Sequence, residues 1–527
     1  MSKITELFSD FNNQITVSVK DKSDVVIGQN FLLDITLQSN NTLPESIKIN
    51  FDIQYGLTLN SISTPSLSPD KKNATAIVDL TVNNNLSPDE IASYTVSATG
   101  IGSLNVSYTA KKINEPTIKF QANKVYLTTP MEDNTPGDGN NNYIIYRAIL
   151  NDYRGQPIAN TPVTILSKID KEIDKKFTVT KDDDNDLGII KSEFYHNLIF
   201  ITAYSDSKGE VSFRVYPNKG TAAVLELELS IMGVSENNKA LTVYIILPRP
   251  TDSYEWLPAP DIADLHGNKL IASGSRQTFN VIINKYSPMS DTDSVIFFNQ
   301  YGVVLPVEVI GDATKPDHSF QLYYDMFPLY QQSQFYYVIA HTSGDSMYSS
   351  VVDLTYTGGG DNQPSDEFSR PLDPPVIYSS LARPPLDASD DEYIIQEYDI
   401  VNLDTIDDYR NNGGIDLFIK IVGTSDLNSE TKPKFGDKVF LVMYVNSSSK
   451  IINKSMPVTI KTVVGENTST NIIPIPHEML VDIASYSDTG YPGVIYFEYY
   501  IDSEGIRTYS KDWQSQISTV SPGGGDN

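Results

Sequence analysis

The sequence predicts an all-β protein of tandem immunoglobulin-like β-sandwiches in an elongated array. Three observations carry this. Apolar and polar residues alternate with period two through all four long segments, the mark of half-buried antiparallel strands. Polar Gly, Pro, Asn and Asp clusters punctuate the strands at short intervals. The five letters Gly358-Gly359-Gly360-Asp361-Asn362 return as Gly523-Gly524-Gly525-Asp526-Asn527, each copy closing a segment of similar pattern. At 527 residues the chain is long enough for several domains at roughly 150 residues each.

The first segment, 1–113, opens with a short lead. Ile15, Val17 and Val19 then point one way and Thr16, Ser18 and Lys20 the other. The alternation recurs at Leu33–Leu37, Ile47–Ile53, Val78–Val82 and Leu104–Tyr108. The turn Leu67-Ser68-Pro69-Asp70 reappears letter for letter as Leu86-Ser87-Pro88-Asp89. Roughly seven short strands in about 100 residues predict one sandwich. Gly100-Ile101-Gly102 lacks the third glycine of a dinucleotide loop and no helix pattern follows, so a strand-to-strand turn is expected.

The second segment, 114–250, holds two glycine hairpins. One runs Leu150-Asn151-Asp152-Tyr153-Arg154-Gly155-Gln156-Pro157-Ile158 and on to Ile165; the other runs Ala203-Tyr204-Ser205-Asp206-Ser207-Lys208-Gly209-Glu210-Val211 to Phe213. Together they resemble the bacterial Ig-like repeats of the invasin and intimin type. In those repeats an Asp-x-x-Gly-x-Pro-Val hairpin precedes a Thr-Asp-x-x-Gly-x-Ala hairpin. Ile158 stands for the Val of the first pattern, and Ser205 and Val211 for the Thr and Ala of the second. The resemblance implies tandem-repeat modules of a bacterial surface protein. It does not extend to a signal peptide, an outer-membrane barrel or a Cys-bridged tip.

The third segment, 251–357, and the fourth, 373–522, match each other. Both open on Pro and an apolar run, at Leu257-Pro258 and Leu372-Asp373-Pro374. Both feed a strand from an acidic turn, at Asp293-Ser294-Val295 and Asp437-Lys438-Val439. Both end on an aromatic hairpin, Phe335–Ile339 to Tyr348-Ser349-Ser350 and Val494–Tyr500 to Tyr509-Ser510-Lys511. Between them 358–372 reads as a Gly/Pro linker, where protease is expected to cut first. The fourth copy carries an insert from Asp390 to Gly414, and 523–527 is a tail.

Composition narrows the function. The formal net charge is -28, which repels phosphate backbones and anionic lipid, so neither nucleic acid nor membrane insertion is expected. With no cysteine, disulfides, thiolate zinc sites and Cys nucleophiles are excluded. The N-terminal residues have no apolar signal core, so a non-Sec route to the surface or medium is expected, with a cytoplasmic place left open. No P-loop or Gly-x-Ser-x-Gly elbow occurs, and His477-Glu478-Met479-Leu480-Val481 puts Val where a zinc protease needs its second His. No enzyme is expected.

Two candidate sites remain. Asp182, Asp184 and Asp186, with Glu193 at the twelfth position from Asp182, supply the oxygens that calcium favours, but Leu187 stands where the loop needs Gly; a solvated acidic loop is the alternative. Glu132-Asp133-Asn134 to Asp138-Gly139-Asn140 is a second such loop. Tyr336, Tyr348, Tyr499 and Tyr509 are candidate binding residues, since rings on a solvent-facing strand stack on partners; alternation requires some of these rings in the core. The expected role is a non-enzymatic, adhesin-like binding or spacer protein of a bacterial surface or secreted assembly, meeting a protein or glycan receptor. The alternatives are a self-associating subunit of a filament and an accessory module of a toxin.

Overall fold

The computed structural model describes the chain except for residues 1–12, 138, 140–141, 168–172, 185, 196–197, 236, 252–255, 464, 488 and 521–527. Strand accounts for 49% and helix for 6%. Among the described residues no sheet takes strands from more than one of the segments 14–111, 121–246, 261–356 and 376–518. By contact the chain divides into two compact units, one of residues up to 248 with 342–345, the other of 249–341 with 346 onward.

In the first unit, segment 14–111 is a two-sheet sandwich. One sheet runs in the order Gln14–Val17, Asn30–Gln38, Asn73–Val82, Leu57–Ile62, and the other Asp24–Val26, Gly102–Lys111, Ile91–Ala98, Ile49–Tyr55. Alternation places Leu33, Ile35, Leu37, Val78, Leu80, Tyr94, Val96 and Tyr108 between the sheets. The two buried phenols satisfy each other: Tyr94 and Tyr108 hydroxyls lie 2.9 Å apart, and Tyr108 also donates to the Val19 carbonyl. Gly100-Ile101-Gly102 is the turn between Ile91–Ala98 and its neighbour, as its sequence predicts.

Segment 121–246 packs three sheets around a core that includes Tyr146, Phe213 and Ile165. Leu225-Glu226-Leu227-Glu228-Leu229 alternates and reads as one strand, but the structure divides it. It breaks at Glu226 into Ala223–Leu225 and Leu227–Ser230, which belong to different sheets. Each glycine hairpin is tied by its own aspartate. The Asp152 carboxylate accepts from the Arg154 and Gln156 amides, and Asp206 accepts from those of Lys208 and Glu210. The hairpins interlock where the Leu150 amide donates to the Gly209 carbonyl. A Cβ on Gly209, which sits at φ +77, would lie 2.4 Å from the Leu150 oxygen.

In the second unit, segments 261–356 and 376–518 share one plan. Each has a three-stranded sheet, Asp261–Ile262, Thr278–Asn284, Asp317–Tyr323 against Val376–Tyr378, Ile415–Thr424, Thr468–Pro476. Each has a larger sheet whose last strand takes a parallel neighbour, Lys269–Leu270 in one and Ile400–Asn402 in the other. The acidic turns coincide atom for atom: Asp293 accepts from the Ser290 amide and Asp437 from the Lys434 amide, while their carbonyls accept from Ile310 and Ile460. The fourth segment's insert is folded rather than loose. It holds the 3-10 turn Ala388–Tyr393, the helical turn Leu403–Ile406 capped by Asn402, and the 3-10 turn Asp407–Asn411.

Candidate functional site

The acidic loop is spent on protein cations. Asp182 Oδ1 accepts from Arg214 Nε at 2.6 Å, and its Oδ2 from Arg147 Nη2 at 3.0 Å and Ser212 Oγ at 2.6 Å. Burial works to raise this carboxyl; the Ser212, Arg214 and Arg147 hydrogen bonds outweigh it and hold it below its usual range. Asp184 meets Arg214 Nη1 at 2.7 Å and Asp186 meets Lys181 Nζ at 2.6 Å. Glu193 is apart from them on the strand Ser192–Tyr195, opposite Phe200, where burial raises its carboxyl. Among the described residues no three His, Asp or Glu side chains are placed to hold a metal ion. Of the second acidic loop, Asp133 accepts from the Thr135 hydroxyl, and Asp138 and Asn140 lie outside the described residues.

The candidate tyrosines are covered: Tyr499 lies in the core of its segment, and Tyr509 lies under Phe368 of the 358–372 tract with its hydroxyl on Gln277. Tyr348, Tyr499 and Tyr509 are 5%, 2% and 1% exposed. Tyr336 is half-buried, stacked on Phe298 with centroids 5.0 Å apart, and the Arg249 guanidinium lies 5.3 Å from its ring centroid. The arms Gln332–Ala340 and Gly493–Ser503 lie inside the larger sheets, while Tyr509, on an arm paired on one side, is covered by Phe368 and Tyr500.

The residues that do converge are in the 358–372 tract and the segments it joins. Arg370 is the centre. Its Nη1 donates to Glu498 Oε2 at 2.6 Å and to the Ser510 carbonyl at 2.7 Å, and its Nη2 to the Ser365 carbonyl at 2.8 Å. Glu498 is fully buried and its other oxygen accepts from Tyr444 Oη at 2.6 Å. Both of its oxygens are thus satisfied, which a carboxylate in the interior requires. Phe368 stacks on Tyr509 at 4.6 Å and 9°. Glu367 reaches back to the third segment, accepting from the Gln277 amide at 2.8 Å and the Thr278 hydroxyl at 3.2 Å. Asn362 donates to the Val445 and Ile452 carbonyls, and Asn446 donates to the Asn362 carbonyl.

Arg507 completes the joint from the fourth segment. Its guanidinium lies 3.9 Å from the Tyr323 ring centroid and 4.7 Å from that of Tyr500, with Asp325 Oδ2 at 2.9 Å from Nη2. The tract expected to be an open tether is therefore docked on both neighbours, with Pro364 and Ser365 buried. Glycine supplies the bends and polar side chains remove the freedom; composition alone reports only the first.

The same arginine latch recurs one repeat earlier. Arg249, also followed by proline, donates to the Ser349 carbonyl at 2.9 Å, as Arg370 does to that of Ser510. Ser349 and Ser510 each donate their amide to a tyrosine carbonyl, of Tyr337 or Tyr499, and take that tyrosine's amide on their hydroxyl. Leu257 and Leu372 pair with Tyr348 and Tyr509 in the same way. Sequence reading matched the Tyr-Ser pairs but missed the Arg-Pro pairs, Arg249-Pro250 and Arg370-Pro371. Their recurrence ahead of each repeat was the available signal.

Two histidines pair with buried aspartates. His341 Nδ1 lies 2.6 Å from Asp293, which also accepts from the Tyr286 hydroxyl. His477 Nδ1 lies 2.7 Å from the fully buried Asp416 and its ring is stacked on Tyr409 at 3.5 Å. Burial pushes the Asp416 carboxyl up to about 6 against the opposing pull of His477. Neither pair, among the described residues, has the three-group cluster that a metal would need.

No family model and no curated protein matches the chain. Solved structures do align. Domains 4-9 of the surface layer protein SbsC align over 97% of this chain at 12% identity, TM-score 0.18, and the chain spans 66% of that structure. Invasin, described as a bacterial integrin-binding protein, aligns over 96% at 11% identity, TM-score 0.16, covering 79% of invasin. Escherichia coli alpha-2-macroglobulin aligns over 96% at 9% identity, TM-score 0.17, covering 44% of that chain. Scores this low carry no functional argument.

Proposed function

We propose that the chain is a non-enzymatic spacer or binding protein of adhesin type, made of four tandem Ig-like modules bounded near 113, 250 and 357–373 and acting at a bacterial surface or in a secreted assembly. The observation that supports it most is the Arg370–Glu498 joint. A buried ion pair, an aromatic stack and a hydrogen-bonded glycine tract are spent on holding one module to the next, which serves a protein whose task is to keep modules at set spacing. Sheet membership supports the module boundaries. The carboxylates of the 182–186 loop act in this reading as partners of Arg147, Arg214 and Lys181, stiffening the second module without calcium.

The test uses the absence of native cysteine. Replacing Lys315 and Lys454, both exposed and one in each repeat, by Cys allows a pair of spin labels. A narrow distance distribution that broadens in Arg370→Ala is expected. A broad distribution in the otherwise unchanged chain would overturn the spacer reading.

A further inference from the structure

The third and fourth modules are built alike, so their far ends can be compared position by position. The Tyr324 amide donates to the Gln277 carbonyl at 3.0 Å, and the His477 amide donates to the Gly414 carbonyl at 2.9 Å. Gln277 and Gly414 are therefore the same position, each placed just before the first long strand, Thr278–Asn284 or Ile415–Thr424.

In the third module this position receives the linker and the fourth module. The Gln277 amide is held by Glu367, its side chain meets Tyr444 and Tyr509, and the Thr278 hydroxyl donates to the second Glu367 oxygen. The glycine tract closes over the short 271–277 crossing, with the Ala272 amide on the Gly358 carbonyl and the Asp361 amide on that of Gly274.

In the fourth module the equivalent amide is taken by the module itself and the other acceptor groups are absent. The crossing is the longer 403–414 stretch. The Gly414 amide donates to the Tyr409 carbonyl at 2.8 Å, and the Ile415 amide to Asn412 Oδ1 at 3.1 Å. Ile415 replaces the hydroxyl of Thr278 with hydrocarbon. Pro476 stands where Tyr323 receives Arg507. The stretch is pinned from behind, since Asn412 Nδ2 donates to the Ser380 carbonyl at 2.6 Å and Arg383 pairs with Asp408.

We propose that residues 403–414 are an intramolecular plug at the position where the third module receives its neighbour, so that the fourth module does not accept a further module of this same class through a Glu367-type linker. The plug makes the fourth module an end piece. Arrays of stacked repeats need such a terminal unit, because an open acceptor recruits further copies.

The experiment appends a second copy of residues 363–520 after Asn527 of the full chain, so both glycine repeats lead into the same linker. Limited digestion with a broad-specificity protease, mapped by mass spectrometry, compares the two linkers in one molecule. The second linker should be cut at least about tenfold faster than the first, because cleavage follows the population of the undocked state. Equal protection of both linkers would overturn the plug. A second arm replaces 403–414 of the native fourth module by 271–277 and changes Pro476 to Tyr. Restored protection of the second linker supports the plug. Rapid cutting there, with the melting of the altered module unchanged, would overturn the claim that 403–414 is what blocks docking. The comparison of linkers in the first arm decides for or against the plug whether or not the altered module folds.

Discussion

The joint inside the first unit and the joint inside the second solve the same problem by different means. Between the first and second modules main-chain bonds carry much of the contact, beside the exposed Arg154–Asp89 ion pair and the Asp24 carboxylate on the Ala159 amide. The Asp24 amide donates to the Ala159 carbonyl, the Asn30 amide to that of Met232 and the Tyr153 amide to that of Lys112. Gln29, buried, bridges the Val26 amide and the Pro162 carbonyl. Between the third and fourth modules a few side chains carry it, with one buried charge pair at the centre. Backbone contacts are spread over several positions and survive most substitutions. A side-chain joint concentrates its stability in Arg370, so the second unit is the more vulnerable to a point change.

The largest effect is expected from Arg370→Ala. It leaves the Glu498 carboxylate buried without its cation, at a cost of about 3–5 kcal/mol. Denaturant unfolding of the second unit should show it, and the 358–372 tract should change from resistant to readily cut. Adding Glu498→Gln should recover part of the loss, because the orphaned charge is then gone. If the single change leaves both melting and digestion unaltered, the side-chain joint does not hold the modules.

Gly209→Ala probes the main-chain joint through the hairpin that braces it. A left-handed backbone and a methyl against the Leu150 oxygen predict a loss of about 1–3 kcal/mol. The loss should appear in the melting of the first unit and leave the second untouched. Gln29→Ala removes one bridging side chain while the backbone contacts stay, so about 1–2 kcal/mol is expected from the two unpaired groups. A loss as large as that of Arg370→Ala would erase the contrast between the two joints.

The smallest effect concerns pH. Asp416 has its carboxyl raised to about 6 in the fold from an ordinary 3.8. Between those values the folded state holds the extra proton, so the favourable contribution is fully present below about pH 4 and is lost as pH rises through about 6. Asp416→Asn should remove this dependence, worth on the order of 1 kcal/mol. Its stability relative to the parent should therefore improve from pH 4 to pH 7. An unchanged difference across that range would show that His477 offsets the burial completely.

The strands were legible in the sequence because alternation is local: Leu33-Asp34-Ile35-Thr36-Leu37 can bury one face only as a strand. The likeness of the last two modules was legible for the same reason, since Asp293 and Asp437 act within three residues of themselves. The candidate sites were not legible. Asp182 reads as a metal ligand until Arg147 and Arg214, on other strands, arrive beside it. Tyr499 and Tyr509 read as surface rings until the core takes the first and Phe368, from the tract between the modules, covers the second.

The sequence by itself determined the all-β class, the turns, the repeated plan and the exclusion of cysteine chemistry, because each depends on residues close together in the chain. Only the tertiary structure decided that a glycine and proline tract is a docked joint, that Arg370 meets Glu498, and that Tyr409 lies over His477. Those contacts join positions far apart in sequence, 128 residues for Arg370 and Glu498 and 232 for Tyr509 and Gln277 in the same joint. A side chain's partner across such a distance is chosen by where the folded strands bring it, and no local pattern encodes that.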